Sequence, residues 1–517
     1  MEENFSPADY VVLSQHLIDL QTVASQFYFI QNGIPAIKLV RPAILNDGIV
    51  LLTEQQVNDF AVFFDTKKDN FKILKFVPAS GAASRMFKFL TEFLQKFKFG
   101  NQTIDEYIAQ NNDHQLALFC ASLTKFPFYN AVSEVIIKEQ PDFKNFDTDT
   151  QNYIFIKTML SANHFDFANQ PKGILPFHVY QQQIVTAVEE HVKECIDYAV
   201  SNNRAFLHLT LAEAHRAKFE SIISKYKSDV NKPVDIEVSY SYQCNTTDVL
   251  AYDLNCKPFR DSANNLVFRP GGHGALLSNL NQCNADIIFI KNVDNVLIDQ
   301  STLVSRYKKA LAGLLIQYQT TIFNYINELH DPVISTAKLI EITAFIQTKL
   351  FFDAATITAA QDVAQTKLAL LHALNRPIRI CGMVKNQGEA GGGPFWVADR
   401  DGQVSLQIIE ASQIDTSNTN NIKILAAATH FNPVDIVCSA KDYKGNKFNL
   451  PDFVDHSTGF IVQKTKNGLP YQAFELPGLW NGAMAHWITI FVEVPIATFS
   501  PVKTVNDLLK PEHQVSK

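Results

Sequence analysis

The chain has 517 residues, 46% of them hydrophobic and 19% charged, with 45 Lys and Arg against 52 Asp and Glu for a net charge of −7. That apolar fraction excludes a disordered chain, and the length allows about three domains or one large domain carrying insertions. The acidic balance argues against a nucleic-acid partner, which a basic stripe would serve. Glycine is scarce, 20 in all, and seven fall in two clusters: Gly271, Gly272 and Gly274, then Gly388, Gly391, Gly392 and Gly393. Where glycine is rare, a cluster marks backbone that turns tightly or approaches something closely.

The opening MEENFSPADY lacks the basic-then-apolar order of a signal peptide, and no stretch approaches the ~18 apolar residues of a membrane span. The seven cysteines are scattered, without C-x-x-C or zinc spacing. Free thiols in a reducing compartment follow, and the expectation is a cytoplasmic protein with no membrane partner.

In chain order, residues 1–68 form a helical region with an Ile/Leu-rich connection at Ile34–Leu52. Lys72–Val77 has the apolar, β-branched character of a buried strand. It runs into Pro78–Ser84 and a helix with Met86, Phe87, Leu90, Phe93 and Leu94 on one face, the opening of a βαβ unit. Residues 97–165, Phe-rich and without glycine after Gly100, form a helical insertion. A helix over Gln181–Val200, a strand at Ala205–Leu209, a helix at Glu213–Lys225 and strands at Val234–Tyr242 and Ala285–Ile290 follow. Residues 300–377, with Gly313 alone, form a second helical insertion. Strands resume at Ile378–Val384, Gly393–Ala398, Leu406–Ile409, Asp435–Ser439 and Thr489–Val494. The expected fold is α/β, a Rossmann-like doubly wound sheet, mixed but mostly parallel. Its core is formed by 69–299 and 378–517 and interrupted by the helical insertions.

Several short segments carry chemistry. A small-residue loop between strand and helix, Val77–Met86, offers backbone N–H groups to a phosphate, and Arg85 adds a fork of donors. It is not a Walker loop, because no G-x-x-x-x-G-K-[ST] occurs. Asp294 stands just past a buried strand, where an open α/β sheet holds its ligands, and suits a divalent cation bridging phosphates. No Ser-His-Asp or Cys-His arrangement suggests a protein nucleophile.

Ala79–Met86 resembles the A-G-G-x-G-T-R-M loop of sugar nucleotidyltransferases. Ser80 stands at the first glycine, Gly81 at the second, Ala83 at the third and Ser84 at the threonine. The resemblance implies Ala79, Ser80, Gly81 and Ser84 as nucleotide contacts and Arg85 as catalytic. Pro171–Phe177 resembles the P-K segment of the same enzymes, implying that Lys172 binds phosphate. Arg269–Leu280 is similar to the P-G-H-G segment of UDP-sugar pyrophosphorylases. It implies that Gly271, Gly272, His273 and Gly274, with Gln243 upstream, hold a uracil. Lys385–Gly393 and Leu406–Gln413 resemble the family's sugar segments, implying Gly392, Gly393 and Glu410 as sugar contacts. Thr429–Asp435 offers Asp435 as a second metal or sugar contact, and Thr498–Leu509 resembles F-x-P-V-K-T-x-x-D-L-L, placing Lys503 on the phosphates.

The whole chain also looks like a member of a bacterial family described only as a domain of unknown function. The resemblance implies a nucleotide-diphospho-sugar transferase fold. It further implies Mg²⁺-assisted transfer of a uridylyl group from UTP, or another NTP, to a sugar 1-phosphate with release of pyrophosphate. The alternatives are a non-catalytic nucleotide-sugar binding or regulatory protein, favoured by the altered glycine loop, and a glycosyltransferase on the same fold.

Overall fold

A computed structural model describes residues 5–181, 183–229, 234–298, 300–352, 362–389, 391–466 and 468–515. Parts of the second helical stretch (353–361) and of the Lys385–Gly393 segment (390) lie outside them. The fold is mixed α/β in two compact units. Unit 1 comprises Met1–Phe76, Tyr240–Ile290 and Arg306–Pro495, and unit 2 comprises Val77–Ser239, Lys291–Ser305 and Ile496–Lys517.

In unit 1 the apolar runs build a sheet in the order Ile44–Leu45, Gly48–Val50, Ile488–Glu493, Ile378–Lys385, His430–Ser439, Ile287–Lys291, Ile73–Pro78. It is mostly parallel: Ile287–Lys291 runs parallel to Ile73–Pro78, and Ile488–Glu493 runs parallel to both Ile378–Lys385 and Gly48–Val50. His430–Ser439 is antiparallel to Ile378–Lys385. Every residue of His430–Ser439 and of Ile287–Lys291 is buried, the mark of strands covered on both faces. The 430–439 strand starts five residues before the expected Asp435. It passes through Pro433, and Val434 takes φ 60°, so the register shifts opposite Gly382–Val384. A bulge of this kind is where a sheet tolerates proline.

Two smaller antiparallel sheets complete unit 1. One pairs Lys38–Pro42 with Gly392–Ala398 and Val404–Glu410; the other joins Phe268–Pro270, Asp248–Tyr252, Leu469–Glu475 and Phe460–Lys466. The long helix Ser301–His330 carries Gly313, where a Cβ would overlap the Phe60 carbonyl oxygen, so a close backbone approach explains this lone glycine.

Unit 2 holds the first helical stretch, Ile104–Asn111, His114–Ala121, Tyr129–Glu139 and Thr148–Leu160. An aromatic cluster of Phe93, Phe97, Tyr107 and Tyr153 packs within it. The expected helix over Gln181–Val200 is shorter. Pro176–Tyr180 and Gln183–Thr186 form a hairpin, and the helix spans Ala187–Tyr198. Val179, Ile184 and Val185 are β-branched, Gln181 takes φ 47° in the turn, and Thr186 with Glu189 closes a capping box. Each local signal favours strand first and helix second.

All seven cysteines are unpaired, and among the described residues no helix is long and apolar enough to cross a membrane.

Candidate phosphate and metal site

Within unit 2, the strand ending at Pro78 delivers the small-residue loop, and the Ala79 amide is anchored on the Thr210 carbonyl at 2.8 Å. The loop is zipped to the Pro171–Lys172 segment. The Ala83 N–H donates to the Gln170 carbonyl at 2.9 Å and the Lys172 N–H to the Gly81 carbonyl at 3.2 Å. Two segments that the sequence separates by some ninety residues are thus adjacent strands of backbone. Between these bonds the amides of Ser80, Gly81 and Ala82 make no backbone hydrogen bond among the described residues. Gly81 is exposed with nothing within 4 Å of a Cβ built on it, Ser84 and Arg85 are exposed, and Ala79 is buried. Free amides flanked by an arginine make a surface an anion can approach.

Asp294 follows the buried strand Ile287–Lys291 and is itself buried. Its Oδ2 accepts from Lys172 Nζ at 2.8 Å and from Lys503 Nζ at 3.2 Å. Lys172 also donates to the Val502 carbonyl at 2.8 Å, and the Val502 amide donates to the Asp294 carbonyl at 3.0 Å. Burial pushes the Asp294 carboxyl up, but the two ammonium groups outweigh it and hold it below the ordinary range, so it is ionised. Its other oxygen, Oδ1, is buried with no hydrogen-bond partner among the described residues. An orphaned carboxylate oxygen is costly to bury and calls for a proton donor or a cation.

Lys503 is held by its neighbours. The Asp507 carboxylate accepts from the Lys503 and Thr504 amides at 2.9 and 2.7 Å, and the Val505 amide donates to the Met86 carbonyl at 3.0 Å. Further along, a buried row fixes the C-terminal segment. Glu190 Oε1 lies 2.7 Å from His178 Nδ1, His178 Nε2 lies 3.0 Å from His513 Nδ1, and His513 Nε2 lies 2.9 Å from the Ser500 carbonyl oxygen. The Tyr180 hydroxyl donates to the same Glu190 oxygen at 2.8 Å. Burial pushes His513 down to about 4, leaving it neutral.

The remaining candidates lie in unit 1. Gly271 and Gly274 leave no room for a side chain: a Cβ would overlap the Thr247 carbonyl at the first and the Pro477 carbonyl at the second. Gly272 takes φ 78°. His273 stacks on Trp480 at 4.6 Å, accepts from the Leu479 amide through Nδ1, and is pushed by burial down to about 4. Gln243 Nε2 is buried without a partner among the described residues. Gly392 lies opposite Glu410 in the hairpin, and the Glu410 side chain caps the turn Ala411–Gln413. Asp435 is paired with Lys308, both buried, so its carboxylate is already taken by a cation.

Sequence reasoning missed the Val502 carbonyl, because a main-chain acceptor leaves no residue signature. It also missed the Glu190–His178–His513 row, whose members carry no motif spacing. Among the described residues no cluster of three or more His, Cys, Asp or Glu could cage a metal.

The architecture defines a mixed α/β protein with a mostly parallel central sheet. Residues 6–514 match the family described as Domain of unknown function (DUF4301), and the chain belongs to that family. No curated protein matches it. Among solved structures, a variant of UDP-glucose pyrophosphorylase from Leishmania major in complex with UDP-glucose aligns at 12% identity over 97% of this chain and 77% of that one, with a TM-score of 0.43. A second such complex aligns at 12% over 98% and 79%, with a TM-score of 0.44. UDP-glucose phosphorylase from Trypanosoma brucei aligns at 15% over 66% and 60%, with a TM-score of 0.36.

Proposed function

We propose that this protein is a nucleotidyltransferase that joins the nucleotidyl group of an NTP, with UTP as the first choice, to a sugar 1-phosphate and releases pyrophosphate. One observation carries the reading. Lys172 and Lys503, singled out as phosphate lysines by separate motifs, meet on one oxygen of Asp294, the residue singled out for the metal, beside the loop singled out for phosphate.

The acceptor phosphate attacks the α-phosphorus and pyrophosphate leaves, so no protein nucleophile is required. Two anions must be brought together in an acidic protein, and charge stabilisation and positioning do the work. Lys172 and Lys503 offset phosphate charge, Arg85 offers a bidentate donor pair, and the free amides at Ser80–Ala82 orient phosphate oxygens. Asp294 fits a Mg²⁺ ion: one ionised carboxylate with a spare oxygen suits an ion that takes its other ligands from phosphates and water. Held there by Asp294, such an ion would supply positive charge that offsets the charge of the phosphates. Gln243 and the Gly271–Gly274 turn are assigned to the base, and Gly392, Gly393 and Glu410 to the sugar. Asp435, committed to Lys308, is assigned a structural ion pair.

The test is pyrophosphate release from a panel of NTPs and sugar 1-phosphates, with and without Mg²⁺. One pair should turn over, and Lys172→Ala should abolish that turnover while circular dichroism stays unchanged. UDP-sugar binding with no release from any pair would establish the non-catalytic alternative instead.

A further inference from the structure

Unit 1 contains a cavity of about 170 Å³ that none of the residues assigned above lines. An apolar cavity of about 150 Å³ already accepts benzene, so this one has room for a ring. Its lining runs along the hairpin formed by Gly392–Ala398 and Val404–Glu410, from Val397, Ala398, Asp399 and Gln403 at the tip to Ile408 and Ile409. The assigned sugar contacts Gly392, Gly393 and Glu410 are not in that lining, although Ile409 and Gln413 on either side of Glu410 are. The cavity also meets the central sheet at Ile488 and Thr489, where Ile488–Glu493 begins, and not at its Glu493 end. In open α/β sheets substrates bind outside the carboxyl ends of the strands.

The walls have a defined chemistry. Leu350, Phe351, Phe352, Ile408 and Trp487 supply flat apolar surface. Trp487 is 4% exposed, yet its indole N–H has no acceptor among the described residues. A buried donor without a partner carries an uncompensated desolvation cost and is a place for a ligand acceptor. Arg376 lies over the Phe352 ring at 5.1 Å, and its guanidinium is oriented by the His372 carbonyl and ring nitrogen at 2.9 and 3.1 Å. It meets no carboxylate within salt-bridge distance among the described residues, and neither do Lys38 and Arg400 in the same lining. The lining also holds two carboxylates, each engaged through Oδ1: Asp399 accepts from the Asp401 and Gln403 amides, and Asp455 accepts from Ser457. Lys38, Arg376 and Arg400 against Asp399 and Asp455 leave one excess positive charge beside an apolar slot.

We propose that this cavity is a second ligand site, taking a small planar ring that bears a carboxylate or phosphate. The ring lies against Phe352 and Trp487, a ring acceptor takes the indole N–H, and the anionic group meets Arg376. The proposal does not rest on the transferase reading.

Isothermal titration of the full chain with uridine 5′-monophosphate and with nicotinate separates a nucleotide from an aromatic carboxylate. At least one should bind. Trp487→Phe, which keeps the ring but deletes the donor, and Arg376→Gln should each weaken that ligand about tenfold or more. Gln403→Trp, at a half-buried position whose hydrogen bonds run through its backbone amide and carbonyl, should block the cavity and protects the test against a misfolded core variant. Lys172→Ala should leave the affinity unchanged. No binding of either probe at 10 mM or so, unchanged affinity in both Trp487→Phe and Arg376→Gln, or loss of affinity in Lys172→Ala would each overturn the proposal.

Discussion

Two aspartate–lysine pairs, one in each unit, look alike in sequence and differ in kind. Asp435 and Lys308 in unit 1 are sealed, their side chains 7% and 0% exposed, and each answers the other's charge. Asp294 in unit 2 faces two lysines through one oxygen and none through the other. One of those lysines, Lys503, is 62% exposed and able to turn toward an incoming anion. A sealed pair is a structural joint, because removing either partner strands a charge in the interior. An over-supplied pair with a spare oxygen has charge and an acceptor to offer, which is what the proposed phosphate and metal role requires.

The largest test of that contrast swaps each carboxylate for its amide. Asp294→Asn should cut transfer activity roughly 10²–10³-fold, the scale of one lost electrostatic contact to a transition state. Asp435→Asn should instead cost about 3–5 kcal/mol of stability in a urea melt, with the activity of the folded fraction preserved. If Asp294→Asn behaves like Asp435→Asn, the distinction between the pairs collapses.

A middle-sized effect comes from pH. His513 and His208 in unit 2 are buried and held near 4 against 6.5 when unfolded, and His273 in unit 1 shows the same value. Between those limits the unfolded chain binds more protons, so stability should fall as pH drops from 6.5 toward 4. Each group steepens the loss by at most about 1.4 kcal/mol per pH unit. Urea melts at pH 7, 6 and 5 measure this, and His208→Ala should flatten the slope. A flat profile over that range contradicts the neutral assignment.

The glycines give the smallest effect and sharpen the same contrast. Gly274→Ala should destabilise unit 1 by about 1–3 kcal/mol, since the new methyl meets backbone at Pro477. Gly81→Ala should move stability by no more than about 0.5 kcal/mol, because nothing lies near its Cβ. Loss of activity in Gly81→Ala at unchanged melting temperature would mark a phosphate that needs the bare backbone.

Much of this was legible from residue order. Continuous apolar runs such as Ala285–Ile290, a strand at Ile287–Lys291, declared buried strands, and the glycine-poor stretches declared helices. The hairpin at Pro176–Thr186 was not legible, because Gln181–Val200 also repeats its apolar residues at helical spacing and the left-handed turn at Gln181 leaves no mark in composition. Asp294 reads as the metal contact and Asp435 as a second metal or sugar contact, and residue order alone does not show how differently the two are paired. What separates them is which lysines remote segments bring: the buried Lys308 from a helix in one case, and Lys172 with the exposed Lys503 from the chain's last turns in the other.

The buried row from Glu190 to Ser500 has a mechanical consequence. His513 meets His178, 335 residues earlier in the chain, and before Lys503 the Val502 amide meets the Asp294 carbonyl. The backbone under Lys503 is thus pinned on both sides, and the freedom that remains belongs to its side chain: a lysine that swings from a fixed pivot.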